Sequence, residues 1–421
     1  MEYKVFDEKS YRIHTIKTDK FKSCSMEIMF RDKIDKSKIT ENILLTDTLL
    51  DSSKKYPKRR EMSMELEYLY NAHFRGVTTR LGNSFLISFV MDFLDPKYCE
   101  KGYLEKVIEF PFEILLNPHV DENGFNERSF NIRKNYIKSE IESLKENPAR
   151  YAFKQCLLAM DKDSPSSYSM SGYLDDLENI TPLSLIDTYN NLLDNYTCDI
   201  YVIGNLDMTE VVKYIKKYFV NKSIKPGKIP LYVKNKSRSR SQNIVEKGAC
   251  EQDSFIMIYN LENLNKKERD YTIRLYNMIL GSGGLTSKLY QYLREENSLC
   301  YTVSSMYQKY DGLLMIYAGI DAKDKDKCEK LVKKAIKEMI NGDFTDLELD
   351  NAKKAIVSSI KMNEDNPGGI IDNYLFNELD GLELYDERIK MFNKVTREEI
   401  IEVANKVKLN TIYLYKGEDT E

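Results

Sequence analysis

A chain of 421 residues is long enough for two or more domains with developed cores, and its 42% hydrophobic and 31% charged residues are those of a water-soluble globular protein. The formal net charge of -4, with Lys and Arg interspersed among Asp and Glu, leaves no concentrated basic face and argues against nucleic acid as a partner. No apolar run reaches membrane-spanning length, MEYKVFDEKSYRIHTIK lacks the start of a signal peptide, and the seven cysteines (24, 99, 156, 198, 250, 300, 328) stand singly, so the expectation is reduced thiols, a cytoplasmic location and no membrane contact.

Residues 1 to 34 carry two strand-like runs, YRIHTIKT and SCSMEIMF, the second alternating well enough to be half-buried. Ile39, Ile43, Leu44 and Leu50 suit a buried helix from Lys38 to Leu50. KKYPKRREMSMELEYLYNAHFRG predicts a proline-containing turn and a helix, and VTTRLGNSFLISFVMDF two strands joined by a Leu-Gly-Asn turn. Two helices follow, YLEKVIEFPFEILL and a long one from about Asn126 to Glu146 that stops before Asn-Pro. A further helical stretch fills 151 to 195, the strand CDIYVIGNLD closes the half, and the helix MTEVVKYIKKYF comes after it.

The stretch 221 to 245 is polar, basic and interrupted by Pro226 and Pro230, which reads as a solvated connector rather than a partner-binding patch. It divides the chain into 1–222, a connector 223–245, and 246–421. The second part then replays the first. A strand and helix, a helix with strands, and NERSFNIRKNYIKSEIESLKENP against LELDNAKKAIVSSIKMNEDNP recur in order, with Pro148 aligned to Pro367 and Glu140 to Ser359. DIYVIGNLD pairs with TIYLYKGED. The repeat argues for duplication of an α+β unit, too long in period for a solenoid.

Residues 281 to 305, GSGGLTSKLYQYLREENSLCYTVSS, predict a glycine-rich turn, a short helix, a second turn and the start of a strand. Gly281, Gly283 and Gly284 permit a sharp turn or a close backbone approach. Ser287 is placed to cap the helix, Leu289, Tyr292 and Leu293 have core spacing, and Arg294 lies in the last turn, where a cation suits the dipole. Tyr301 opens the alternating run YTVSSMY. On these residues alone, Arg294 steadies a helix end and Tyr301 packs in a sheet.

This order of glycine-rich turn, helix, Arg and Tyr resembles the pitrilysin/insulinase metallopeptidase family, especially its mitochondrial-processing-peptidase-like and small bacterial branches. The resemblance implies an α+β chain of two homologous α/β-sandwich domains of the LuxS/processing-peptidase-like type, half of a four-domain clam-shell. It also implies that Arg294 and Tyr301, beside Gly281, Gly283 and Gly284, help hold a substrate peptide near a zinc ion carried by another domain.

Catalytic zinc needs three converging protein ligands, an open position for water and a carboxylate to take its proton. The family resembled here places HxxEH on the first domain's early helix, with a distant glutamate as third ligand. This chain has only three histidines, His14, His73 and His119, none within four residues of another. Aligned on LLDSSKKYP, the two histidine positions fall on Ile43 and Asp47, and the catalytic glutamate on Thr46. Isoleucine cannot ligate and threonine is a poor general base. Glu140, at the third-ligand position, is by itself a surface carboxylate on a charged helix. GSGGLTSK lacks the ending of a phosphate-binding loop, no GxSxG elbow occurs, and no cysteine has a nearby histidine.

The resemblance, with its zinc helix missing, implies a non-catalytic subunit that holds no cofactor, positions an unfolded peptide, and pairs with a homologous HxxEH chain carrying the zinc. The resemblance leaves open a homodimer of the isolated chain, since many members of the family dimerise. The alternative is a catalytically dead scaffold or peptide-binding protein with no proteolytic role, like the core-type subunits of respiratory complexes. A third reading is a pathway accessory, such as a factor in precursor-peptide maturation or the elongation-factor-P-modification-associated pseudo-peptidases.

Overall fold

The computed structural model describes residues 1–220 and 229–418. In chain order, β1 (Glu2–Asp7), β2 (Tyr11–Lys17) and β3 (Ser23–Lys33) precede α1 (Ile39–Leu49), α2 (Arg59–Tyr68), β4 (His73–Leu81) and β5 (Ser84–Leu94). Then come α3 (Tyr103–Leu116), the small hairpin β6 (Val120–Asp121) and β7 (Gly124–Phe125), α4 (Glu127–Glu142), α5 (Pro148–Asp161), α6 (Leu174–Asn179), α7 (Ser184–Asn195), β8 (Thr197–Gly204) and α8 (Met208–Tyr218). The second half gives β9 (Gln242–Lys247), β10 (Asp253–Leu261), α9 (Ile273–Asn277), α10 (Lys288–Tyr290), β11 (Cys300–Gln308) and β12 (Leu313–Ile320). It ends with α11 (Lys325–Asn341), α12 (Asp346–Asn363), α13 (Pro367–Asp380), α14 (Tyr385–Asn393), α15 (Arg397–Ala404) and β13 (Val407–Lys416).

The fold is α+β, and the repeated element order is present. In both halves a long helix stops before a proline at which the next helix starts, Pro148 for α5 and Pro367 for α13. Four strands, β1, the short pair β6 and β7, and β9, are not in the sequence expectation. β1 was not evident in the alternation, and β9 starts at Gln242, inside the stretch assigned to the connector. Residues 221–228 of that stretch lie outside the described residues.

By packing, the chain divides into two units: Met1–Glu142 with Ser169–Leu231 and Asn366–Asp372, and Ser143–Tyr168 with Tyr232–Asp365 and Asn373–Glu421. The first contains a six-stranded sheet in the order β1-β2-β8-β3-β5-β4, in which β2 and β8 are parallel. Its inner strand β5, SFLISFVMDFL, is almost wholly buried, whereas the edge strand β4 alternates between exposed and half-buried residues. Gly82 turns the β4–β5 hairpin at φ 59°. Helix α1 comes down on β4 at Gly76, where a Cβ would lie 2.6 Å from Thr46 Cγ2 and 2.8 Å from Leu50 Cδ1, so glycine sets the approach.

The second unit is built on a five-stranded sheet, β11-β12-β10-β13-β9, with β13 and β9 parallel. Ala152, Cys156 and Met160, spaced four apart on one face of α5, pack with Ile256, Ile258, Leu313, Met315, Tyr413 and Tyr415. Polar contacts fix the same helix. Tyr151 Oη donates to Glu246 Oε1 at 2.6 Å, Gln242 Nε2 to the Ala159 carbonyl at 2.6 Å, and Arg238 Nη2 to the Met160 carbonyl at 3.1 Å. The last two satisfy carbonyls that the end of α5 leaves unpaired. A helix from the first half of the sequence thus completes the core of the second unit. No helix among the described residues is long and apolar enough to cross a membrane.

Candidate functional site: the glycine-rich turn, Arg294 and Tyr301

Helix α9 is the middle of a longer helical run over 268–282 that widens as it ends. Gly283 N donates to the Met278 carbonyl at 3.0 Å, and after α10 the Glu296 N donates to the Gln291 carbonyl at 2.9 Å, both five residues back. Such wide turns put the backbone between them off ordinary helical register. The three glycines of the turn have separate reasons to be glycine. A Cβ on Gly281 would sit 2.6 Å from Ser305 Oγ and 2.7 Å from Leu289 Cδ1, so this residue lets the helix end, α10 and β11 meet. On Gly283 it would lie 2.5 Å from the Met278 carbonyl oxygen. Gly284 has φ 64° with open space around it, and its requirement is conformational.

Leu289 and Leu293 are fully buried, as their spacing predicted. Ser287 has the extended backbone of a cap, but its hydroxyl donates to the Gly284 carbonyl at 2.8 Å and makes no cap bond to the helix. A tight turn then reverses the chain, with Leu299 N on the Leu293 carbonyl at 2.7 Å and Ser298 at φ 50°.

That reversal brings Arg294 over Tyr301. The guanidinium carbon lies 4.6 Å from the Tyr301 ring centroid and 5.0 Å from that of Tyr290, and Nη1 donates to the Tyr301 carbonyl at 3.0 Å. Tyr301 is 75% exposed. It begins β11, an edge strand, where the register with β12 breaks between Cys300 and Val303. Tyr301 also borders a cleft of about 340 Å³ with Ser298, Leu299, Cys300, Gly319 and Ile320. The arrangement offers a solvent-facing phenol, a guanidinium with donors left over after one intrachain bond, and an unpaired strand edge that an extended peptide can join.

The positions at which the resemblance would put a zinc helix lie on α1, in the first unit. Ile43 is half-buried and has no donor atom. Thr46 is buried, with its hydroxyl donating to the Asn42 carbonyl at 2.8 Å. Burial raises the Asp47 carboxyl above its ordinary range, partly offset by the charges of Arg133 and Arg59. Glu140 is exposed on α4. One pair here was missed in the sequence: Arg133 of α4 donates through Nε to Asp51 Oδ1 at 3.1 Å, and Arg59 lies 3.8 Å from the same oxygen. Arg133 is two turns before Glu140, so its helical spacing could have flagged it.

This donor set does not fit zinc. One ligand position has no lone pair, the position of the general base is a hydroxyl already engaged, and the other ligand position, Asp47, is a single carboxylate under the charges of Arg133 and Arg59. Among the described residues no three His, Cys, Asp or Glu side chains are grouped to hold a metal ion. His14 is buried between Tyr3 Oη at 2.8 Å and Asp199 Oδ1 at 3.2 Å.

Residues 179–356 match the family model of the peptidase M16 inactive domain. Over 410 residues the chain is 26% identical to the probable inactive metalloprotease YmfF of Bacillus subtilis, covering 96% of this chain and 95% of that one. A crystal structure of a conserved protein from Enterococcus faecalis matches with a TM-score of 0.93 at 24% identity, over 100% of this chain and 99% of the other. The peptidase M16 inactive domain from Pseudomonas fluorescens matches with a TM-score of 0.82 at 16% identity, over 100% and 98%. These two are likenesses of fold.

Proposed function

From its likeness to the peptidase M16 inactive domain and to a probable inactive metalloprotease, we propose that this chain is the non-catalytic subunit of a heterodimeric zinc metallopeptidase. Arg294 and Tyr301 position an unfolded peptide for a homologous partner chain that carries HxxEH and the zinc. One contrast supports the reading: the helix at which the resemblance puts the metal has Ile43 and Thr46 where a ligand and a base are needed, while Tyr301 is 75% exposed near the head of an edge strand with a guanidinium against it. Backbone bonding along a strand edge holds a peptide extended, and a fixed cation or phenol steadies a carbonyl as negative charge develops on it.

The test is turnover of an unfolded peptide by the complex isolated from its native cell. Arg294→Ala and Tyr301→Phe are expected to lower turnover by about tenfold or more each, by analogy with removing one donor to a developing oxyanion. Fold and zinc content should stay intact; unchanged turnover in both variants removes the assignment.

A second reading, a scaffold or peptide-binding protein without proteolytic role, draws support from the direction of Arg294. Its Nη1 serves the Tyr301 carbonyl and its plane lies against two rings of its own unit, an arrangement that also stabilises the turn. On that reading the two substitutions alter stability, and no zinc-bearing chain copurifies.

A further inference from the structure

We propose that the second unit contains a binding site for a small oxyanion, a phosphate or a carboxylate, between Arg388 of α14 and Arg274 of α9. The site is separate from the peptide-positioning reading and does not depend on it.

Tyr385, Arg388 and Phe392 share one face of α14, and all are buried, with exposures of 5%, 7% and 0%. The Phe392 ring meets that of Tyr271 edge-on with centroids 5.0 Å apart, which lays this face against the helical run 268–282. Arg274 follows Tyr271 by one turn, and Arg388 precedes Phe392 by one turn. The Arg388 guanidinium lies 5.2 Å from the Tyr385 ring centroid, its Nε has no hydrogen-bond partner, and no carboxylate among the described residues pairs with it. Arg274, half-buried, has no hydrogen bond or ion pair among the described residues either. Burial first, and then the charge of Arg274, push the Arg388 pKa down; Tyr385, Tyr271 and Glu364 oppose this weakly.

Two carboxylates lie around this face: Glu364, which acts on Arg388 only weakly and has other contacts, and Glu383, which accepts from Tyr271 Oη and pairs with Lys266 at 3.3 Å. Other buried charges of the unit have ion pairs: Lys309 with Asp270 and Asp380 at 2.6 and 2.8 Å, and Glu268 with Lys406 at 2.6 Å. A buried charge ordinarily requires a partner, and the planar fork of arginine suits two oxygens of one oxyanion. Arg388 has no ion pair of this kind among the described residues, and an anion from solution supplies what the chain does not.

The experiment is thermal unfolding of the full chain in sodium phosphate, sodium acetate or sodium chloride at one pH and matched ionic strength. The expected result is a saturable rise of the midpoint in phosphate or acetate above chloride, as mass action requires of a ligand bound only by the folded state. A response to phosphate alone assigns a tetrahedral anion, and a response to acetate a carboxylate. Arg274→Gln, at a half-buried position, should bring the curve down to the chloride baseline, and Arg388→Gln should do the same. Coincident curves in all three salts overturn the proposal, and so does a response that survives unchanged in Arg274→Gln.

Discussion

Gly281 and Gly284 reject a methyl group for different physical reasons. Alanine at 281 must displace Ser305 Oγ and Leu289 Cδ1 from 2.6 and 2.7 Å, so it should cost about 1–3 kcal/mol through overpacking. Alanine at 284 meets nothing but must hold φ 64°, costing about 1–2 kcal/mol through the backbone alone. Urea denaturation of both variants checks this, and a neutral Gly281→Ala would mean that the turn yields freely. Glycine was legible in the sequence at all three positions; the division of labour among them was not, because a close neighbour such as Ser305 becomes visible only once β11 is in place. Arg294 and Tyr301 were likewise legible as neighbours, but their order along the chain cannot say that the guanidinium bonds to the tyrosine's own carbonyl. The Arg133–Asp51 pair went unread because Asp51 lies in the turn after α1, far from α4 in the sequence.

Lys309 ties three elements of the second unit together. It follows directly on β11 and makes ion pairs to Asp270 in the helical run before the glycine-rich turn and to Asp380 at the end of α13, and Tyr232 Oη donates to Asp380 at 2.9 Å. Burial alone would raise the Asp270 pKa, but hydrogen bonds and charge from Lys309 and Lys266 more than offset it, so the pKa is lowered. A carboxyl depressed on folding contributes stability above its unfolded pKa, about 3.9, and that contribution is lost as pH falls through the folded value. The wild-type triad should therefore hold from neutrality to about pH 4 and fail below it. Lys309→Met leaves two buried carboxylates facing each other and should cost about 3–5 kcal/mol at pH 7. Denaturation at pH 5 should show a smaller loss as one carboxyl takes up a proton; an equal loss at both pH values would contradict the account. At this scale the sequence was most legible where strands are buried, as in β3, β5 and β10. It was least legible at edges: β1 and β9 leave much of their polar surface exposed, so EYKVFD and QNIVEK read like connecting chain.

The repeated order of elements was readable across the whole chain because both halves keep the sequence of strands and helices and the proline at which a helix starts. The place of α5 was not, since periodicity says that Ala152, Cys156 and Met160 form an apolar face and not which sheet receives it. That packing makes a prediction about pieces of the chain. Residues 246–421 expressed alone lack α5, expose Ile256, Ile258, Leu313 and Met315, and should aggregate or melt without cooperativity. Adding residues 143–168 as a peptide or fusion should restore a cooperative transition, whereas a cooperative 246–421 fragment on its own would show that α5 is dispensable to the core.

The central claim, a peptidase-fold chain that has lost its metal site and positions peptide for a chain that has one, is tested most directly by zinc content and peptidase activity. Both are measured on the complex that copurifies with the tagged protein from its native cell, beside the same chain purified alone. The account predicts about one zinc per complex, cleavage of an unfolded peptide by the complex, and neither metal nor activity in the lone chain. Zinc and cleavage in the lone chain would contradict the reading of Ile43, Thr46 and Asp47; their absence from both samples would contradict the subunit role and leave the scaffold.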